Sequence, residues 1–509
     1  MRSTPIRHRL LRESAIWLSR SSSRPADPQH YKIGLLPSRW LVILAIAFAL
    51  PGAPVEDTLA LGRKALLNEG VTTAWTLSQR ALAESPTSPA AHEFAGEVLF
   101  RRGEFAQAKN EFQRARNLDS RFALAWWGLA RIAECESMHK TAKSYFEHAY
   151  ELDPKNARIF LDWATHLEGR QRIAALERYV AIVDPDHNHD EYKILHQRIA
   201  LLKATDGRSL MALASPYKRS EIILAKLTVD SNRTRVYGLE VIINGNKLNL
   251  LLDTGASGIL IKRSAAENAR VVRISDATFR GVGSNTKLPE GYQGTAERVQ
   301  IGDIEFRDAV VRVIDADIVA AGDGVIGTDV FSEFLISLDF ANLKMRLKPL
   351  PEHDDNGNPV DRTISPDMQT FTPVYRFGHM LLIPTRVADS REALFLIDTG
   401  STRTLISYDI AAQVSQVKSN GGMRITGING QVSDVFQTGS LFLQFAGFRQ
   451  SSPGISSFNM LDQSRLVGTE VSGLLGLPVL ALFTLTIDYR DGLVNFEYAG
   501  AHPTATPTR

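Results

Sequence analysis

Two stretches carry residues that could do chemistry together, LLLDTGASGIL (250–260) and FLIDTGSTRTLIS (395–407). Each runs an apolar segment into an aspartate followed by Thr-Gly. A carboxylate at the end of a buried strand is costly unless something needs it. Two carboxylates placed side by side cannot both ionise, so such a pair shares a proton. One member can then take a proton from water while its protonated partner donates one, which is general acid–base chemistry. Asp253 and Asp398 are the candidate catalytic residues.

The surroundings of the two motifs match. Gly327 of GVIG stands 74 residues beyond Asp253, and Gly476 of GLLG stands 78 beyond Asp398. A strand–turn–strand pattern follows each: SLDFANLKMRL, with Asp339 86 residues on, and TIDYRDGLVNFEY, with Asp488 90 residues on. Glycine-rich turns recur between these landmarks, GVGSNT (281–286) and GINGQV (427–432). Order and spacing describe a duplicated β unit in which each copy presents one aspartate. GDGVIGTD lacks the Lys-Ser/Thr of a phosphate loop.

Paired DTG motifs, each with a downstream apolar-apolar-Gly, resemble the aspartic proteases of the pepsin and retropepsin kind. The resemblance covers roughly 217–498. It implies two β lobes related by a pseudo-twofold axis, an aspartate from each lobe in a shared cleft, and an endopeptidase acting on extended polypeptide with no cofactor. It also implies that Thr254 and Thr399 hydrogen-bond across the lobe interface. Gly255 and Gly400 read as structural, permitting φ values that other residues resist. Gly327 and Gly476 read as points of close backbone approach beneath the turns. Ser401 can offer a hydroxyl to Asp398, whereas Ala256 stands at the matching place after Asp253. On that basis Asp398 is expected to be the more acidic member. The turns around Gly281, Gly283, Gly427 and Gly430 are candidate flaps, with Tyr292 as a candidate flap aromatic; one flap or two could close. A lobed module that grips peptide without cutting is the alternative.

The elements that carry these residues follow a different kind of sequence. The chain has 509 residues, 44% hydrophobic and 22% charged, and a net charge of +2, so neither nucleic acid nor an anionic surface is implied as a partner. A single cysteine, Cys135, excludes an internal disulfide framework and a thiolate metal cage. Residues 1–54 combine a basic lead with the apolar run WLVILAIAFAL (40–50), which reads as an export signal or an outward-facing membrane anchor. Residues 55–205 read as helices. A shift of 34 residues aligns Ala108, Phe112, Ala115, Leu118 and Asp119 with Ala142, Phe146, Ala149, Leu152 and Asp153. This resembles tetratricopeptide repeats, which implies a protein partner or recruited substrate. Repeats of this kind before such a pair of lobes resemble exported bacterial aspartyl proteases. Trp75, Trp126, Trp127 and Trp163 could line a peptide groove or pack between helices. In DPDHNHDE (184–191), Asp-Pro closes a repeat, and His187 and His189 form only a loose pair, so no metal is expected.

The expected architecture is therefore multidomain: an all-α tetratricopeptide-like solenoid, then an all-β bilobal aspartic-protease-like fold. The expected boundaries are a lead at 1–54, repeats at 55–205, a linker at 206–220, lobes at 221–350 and 368–499 joined by a connector at 351–367, and a tail at 500–509.

Overall fold

The computed structural model describes residues 55–500 apart from 69, 208–210, 215–218, 230–234, 284–286, 316–320, 353–360, 363 and 389–391. The apolar run at 40–50 lies outside the described residues. Among the described residues no helix is long and apolar enough to cross a membrane.

The N-terminal region is helical. Four helix pairs begin at Val55, Pro89, Ala123 and Ala157, each 34 residues after the last, and a ninth helix, Lys193–Ala204, follows. The fourth pair is short because its first helix, Ala157–Thr165, has 9 residues where the two before it have 13. Small residues set the helix spacing. Ala108, Ala115, Ala142 and Ala149 are fully buried. The Phe112 ring wedges against Gly96 and Gly128, where an added Cβ would come within 2.7 and 2.4 Å of it. Of the tryptophans, Trp127 donates to Asp162 Oδ2 at 2.7 Å. Trp163 stacks on Tyr150 at 3.8 Å, Trp126 meets Tyr145 edge-on, and Arg102 lies over Trp75. Among these residues the four indoles pack between helices.

The remainder is rich in β-sheet. Asn244 and Gly245, both at positive φ, make the two-residue turn that pairs Arg235–Ile243 with Asn246–Asp253, the backbone twist that an Asn-Gly hairpin prefers. Two sheets share one topology. The first runs 304–314, 259–262, 324–327, 246–253, 235–243, 290–301, and the second runs 456–458, 405–407, 473–476, 392–398, 380–387, 441–445. In each, the strand ending in aspartate lies parallel to the strand ending in glycine, with Gly327 opposite Asp253 and Gly476 opposite Asp398. A short helix, Arg263–Asn268 or Tyr408–Val414, follows the equivalent strand in each.

A six-stranded sheet joins the two halves, in the order 372–373, 493–498, 483–488, 334–339, 344–349, 220–223. At its centre Ile336 pairs with Ile487, Ser337 with Thr486 and Leu338 with Leu485. Ser337 and Thr486 each stand two residues before the matched aspartates Asp339 and Asp488, so the pseudo-twofold axis passes between them. Those aspartates cap equivalent turns, accepting the amides of Asn342 and Asp491 at 3.0 Å. Ala212–Leu213, inside the expected linker, pairs with Phe306 and Arg307 and so belongs to the first sheet.

The helices pack against the second half. Phe105 meets Tyr375 at 4.4 Å and Phe377 at 5.9 Å, Thr469 Oγ1 donates to Phe100 O at 2.7 Å, and Glu470 N donates to Arg101 O. The helix His139–Leu152 has no capping side chain of its own. Its first amides, of Lys140 and Thr141, donate instead to the Asp361 carboxylate, 221 and 220 residues away. Free helix-end amides need such an acceptor. Asp361→Ala is expected to lower stability by about 1 kcal/mol, the usual worth of an N-cap, measurable as a shift in denaturation midpoint; an unchanged midpoint would show that water caps this helix equally well.

Candidate functional site

The two Asp-Thr-Gly turns meet at the pseudo-twofold axis. Thr254 Oγ1 donates to Ile397 O at 2.7 Å and accepts from Thr399 N at 3.0 Å. Thr399 Oγ1 donates to Leu252 O at 3.0 Å and accepts from Thr254 N at 3.0 Å. Both threonines are buried, at 0% and 2% exposure, so a missing partner would leave polar atoms with no access to water. These crossed bonds bring Asp253 and Asp398 into direct hydrogen-bond contact.

Gly255 and Gly400 each lie against the opposite carboxylate. A Cβ on Gly400 would stand 2.4 Å from Asp253 Cγ, and one on Gly255 would stand 3.2 Å from Asp398 Cγ. Neither glycine has a positive φ. The expectation that backbone conformation demands them is therefore replaced: the opposite aspartate leaves no room for a side chain at Gly400 and crowds one at Gly255. At Gly327 and Gly476 the expected close approach is present, since a Cβ would meet Ala256 O at 2.4 Å and Arg403 O at 2.1 Å.

The Ser401 hydroxyl is not placed as the sequence expectation had it. Ser401 presents its amide, not its hydroxyl, to Asp398: the amide donates to Oδ1 at 2.9 Å while the hydroxyl donates to Arg403 O at 2.8 Å. Burial, then the adjacent Asp253 charge, then the proton shared with Asp253 push the Asp398 carboxyl well above its ordinary 3.8. Burial also raises Asp253, but the Gly255 amide, donating at 2.7 Å, the hydrogen bond from Asp398 and the nearby His379 oppose the rise. Both carboxyls are thus raised, and they titrate as a pair.

Sequence reasoning missed the residues around Asp253. His379 follows Gly378 in the hairpin turn between Tyr375–Phe377 and Met380–Val387, and its Nε2 donates to Gly255 O at 3.1 Å. Burial lowers the His379 pKa, with Asp329 opposing. Asp329 accepts from Ser257 Oγ at 2.7 Å and from Gly258 N at 2.8 Å, tying the turn down from below. Pro478 occupies the matching place in the second half, where Gly476 N donates to Thr404 Oγ1 instead. A lone histidine in a Gly-His turn has no spacing signature, which is why only the fold reveals it.

The flap candidates separate. Gly281 and Gly283 of the first half meet Gly427 and Gly430 of the second: Asn429 N donates to Val282 O at 2.9 Å. A Cβ on Gly283 would stand 2.1 Å from the Asn429 backbone, and one on Gly427 would stand 2.3 Å from Val282 O. The two turns thus come together at Val282 and Asn429. Tyr292 is not among them. It is buried in the first-half core, opposite Val313 on one side and Asp276 on the other, with Arg263 and Arg273 over its ring. Aromatic residues favour such half-buried cross-strand positions.

Residues 239–333 match the family model described as "gag-polyprotein putative aspartyl protease", a span that holds Asp253 and Gly327. No curated protein matches. Among solved structures, an aspartic proteinase from Irpex lacteus is 14% identical, with 55% of this chain and 97% of that one covered and a TM-score of 0.34. A mutant O-GlcNAc transferase from Thermobaculum terrenum is 19% identical, with a TM-score of 0.23; 25% of each chain is covered, so this chain spans a quarter of that enzyme's length.

Two outcomes follow from this geometry. Thr254→Val, isosteric but unable to hydrogen-bond, is expected to cost about 2 kcal/mol or more, while Thr254→Ser is expected to retain most of the stability; equal midpoints for the two variants would show that the crossed bonds are dispensable. Because the folded-state pKa of Asp398 is raised, the native state holds its proton over a pH range in which the unfolded chain has lost it. Stability from this group is full below pH 3.8 and is lost as pH rises towards the folded value. Asp398→Asn should then melt higher than the parent at neutral pH and lose that advantage below pH 3.8.

Proposed function

We propose that the protein is an aspartic endopeptidase. The hydrogen-bonded pair Asp253–Asp398, one carboxyl from each half, carries this reading. Asp253 removes a proton from a water held between the carboxyls, and the water attacks the scissile carbonyl. Asp398 donates its proton to the developing oxyanion, and the pair then passes a proton to the leaving nitrogen. Peptide hydrolysis by this route consumes one water and leaves both carboxyls as they began. The two glycine turns would part to admit an extended polypeptide and close on it through main-chain hydrogen bonds.

The 34-residue recurrence of helix pairs supports a tetratricopeptide-like solenoid. We read it as both a brace for the second half and a surface for a protein partner or substrate. The basic lead with its apolar run supports export or outward-facing anchoring. A peptide-gripping module without cleavage is the second reading, and the contact between the two turns at Val282 and Asn429 favours it.

Purified protein incubated with an unfolded polypeptide across pH 3–8 distinguishes them. Cleavage is expected to follow a bell-shaped profile set by the two successive ionisations of the pair, both carboxyls being shifted upward from their ordinary value. Asp253→Asn and Asp398→Asn should each abolish it, and Ser401→Ala should leave the acidic limb in place because only its amide reaches Asp398. Binding of the polypeptide without cleavage at any pH would reject the endopeptidase and leave the gripping module.

A further inference from the structure

The position that closes each helix pair is an aspartate three times over: Asp119, Asp153 and Asp184. The first two perform the ordinary work of a turn. Asp119 accepts the amide of Arg121 at 2.9 Å, and Asp153 accepts that of Lys155 at 3.3 Å; neither is buried. Asp184 differs from both. It is 0% exposed, and its carboxylate is ringed by imidazoles. Oδ1 accepts from His189 Nδ1 at 2.7 Å and from the amides of Asn188 and His189 at 3.1 and 3.3 Å. Oδ2 lies 2.9 Å from His196 Nε2.

A third imidazole approaches the same point. His187, at φ 54°, brings its Nδ1 to 3.4 Å from His196 Nε2. A conformation that non-glycine residues seldom adopt thus holds this ring beside the other two groups. The protons do not satisfy all of these contacts. His196 Nε2 carries one hydrogen or one lone pair, and a hydrogen directed at Asp184 Oδ2 is not also directed at His187. A cation satisfies all three groups at once. The candidate donor atoms of Asp184, His187 and His196 lie within 4.8 Å of one another. Two nitrogens bound tetrahedrally at a zinc–nitrogen distance of about 2.0–2.1 Å are about 3.3 Å apart, close to the separation seen here. Oδ1, held by His189 and two amides, leaves Oδ2 as the inward oxygen, the outer support that metal ligands usually have.

We propose that Asp184, His187 and His196 form a binding site for a divalent transition-metal ion, with zinc the best match to two imidazoles and a carboxylate. This departs from the expectation that no metal binds. The DPDHNHDE motif alone offers only His187 and His189; folding substitutes His196, from the first turn of the helix Lys193–Ala204, for His189. His187 is exposed and His196 partly so, which leaves a way in for the ion and room for water to complete the coordination. The same helix reaches the first half: Gln197 Nε2 donates to Thr278 Oγ1 at 3.1 Å, and Lys193 pairs with Glu290 at 2.9 Å. Thr278 ends one strand and Glu290 begins the next, so a bound ion would stiffen the contact between the helices and the root of the first glycine turn. The site does not depend on the peptidase reading.

Chelator-treated full-length protein titrated with zinc by calorimetry, and with cobalt by visible absorption, tests the site. One ion per chain is expected, with the intense absorption of low-symmetry four-coordinate cobalt. His187→Ala and His196→Ala should each weaken binding by at least about tenfold, whereas His148→Ala, which removes a half-buried imidazole beside Glu151 and Trp126, should not change it. His187 is exposed, so its variant should keep the parent's circular dichroism. Absence of saturable uptake of both ions overturns the proposal, as does equal affinity of the parent and the His187→Ala variant.

Discussion

Four hydrogen bonds between Thr254 and Thr399 and the opposing turns constrain everything else in the β region. Each threonine uses its hydroxyl as donor and acceptor and its amide as donor, all across the lobe boundary. Because both side chains are buried, the alternative to these bonds is unsatisfied polar atoms rather than water, and the asymmetry between made and broken is large. Two like-charged carboxyls would not otherwise be held in contact. The threonines supply the holding force, and the carboxyls share a proton because they have no room to do anything else. The glycines follow: with the turns this close, Gly255 and Gly400 lie against the opposite aspartates, so a Cβ on Gly400 would displace a carboxyl and one on Gly255 would crowd it.

Much of this was legible because the duplication repeats its own landmarks. Asp-Thr-Gly followed by apolar-apolar-Gly marks a pair of parallel strands in each half, and the strand pairing opposite Asp253 and Asp398 is what that spacing serves. The 34-residue alignment of Ala115 with Ala149 and Phe112 with Phe146 marks helix crossings that admit only small or wedge-shaped residues. The limits were equally physical. Ser401 carries the hydroxyl that was wanted, but a carbonyl at Arg403 claims it. Tyr292 sits in a glycine-punctuated strand that alternates like a flap, yet its ring faces the core. His379 has no motif because its partner is a backbone carbonyl, and Asp329 because its partners are an amide and the hydroxyl of Ser257, 72 residues away.

The two halves are equivalent in topology and unequal around the carboxyls. Asp329 pins the first turn through Ser257 and Gly258, while Pro478 at the matching place donates and accepts nothing with a side chain. Tyr489 of the second half reaches back to Thr328 at 2.7 Å, and Phe340 stands at its counterpart position. His379 crosses in the same direction, from second half to first. Polar reinforcement therefore accumulates on the Asp253 side. A duplicated fold gives both aspartates the same backbone; these added contacts make their surroundings unequal.

The helices add a second asymmetry. Phe100 and Phe105 pack on Tyr375 and Phe377, the hairpin whose turn delivers His379 to Gly255. The same apolar cluster takes in Val282, Ile425 and Val432 from the two meeting turns. Side chains in close-packed interiors transmit displacement because voids are few. Movement of the helix pairs relative to the second half would accordingly reach both the Asp253 turn, through His379, and the turns that meet at Val282 and Asn429. The helical region is thus built into the site's geometry, and its packing on the hairpin is one of the forces that fix where the first carboxyl stands.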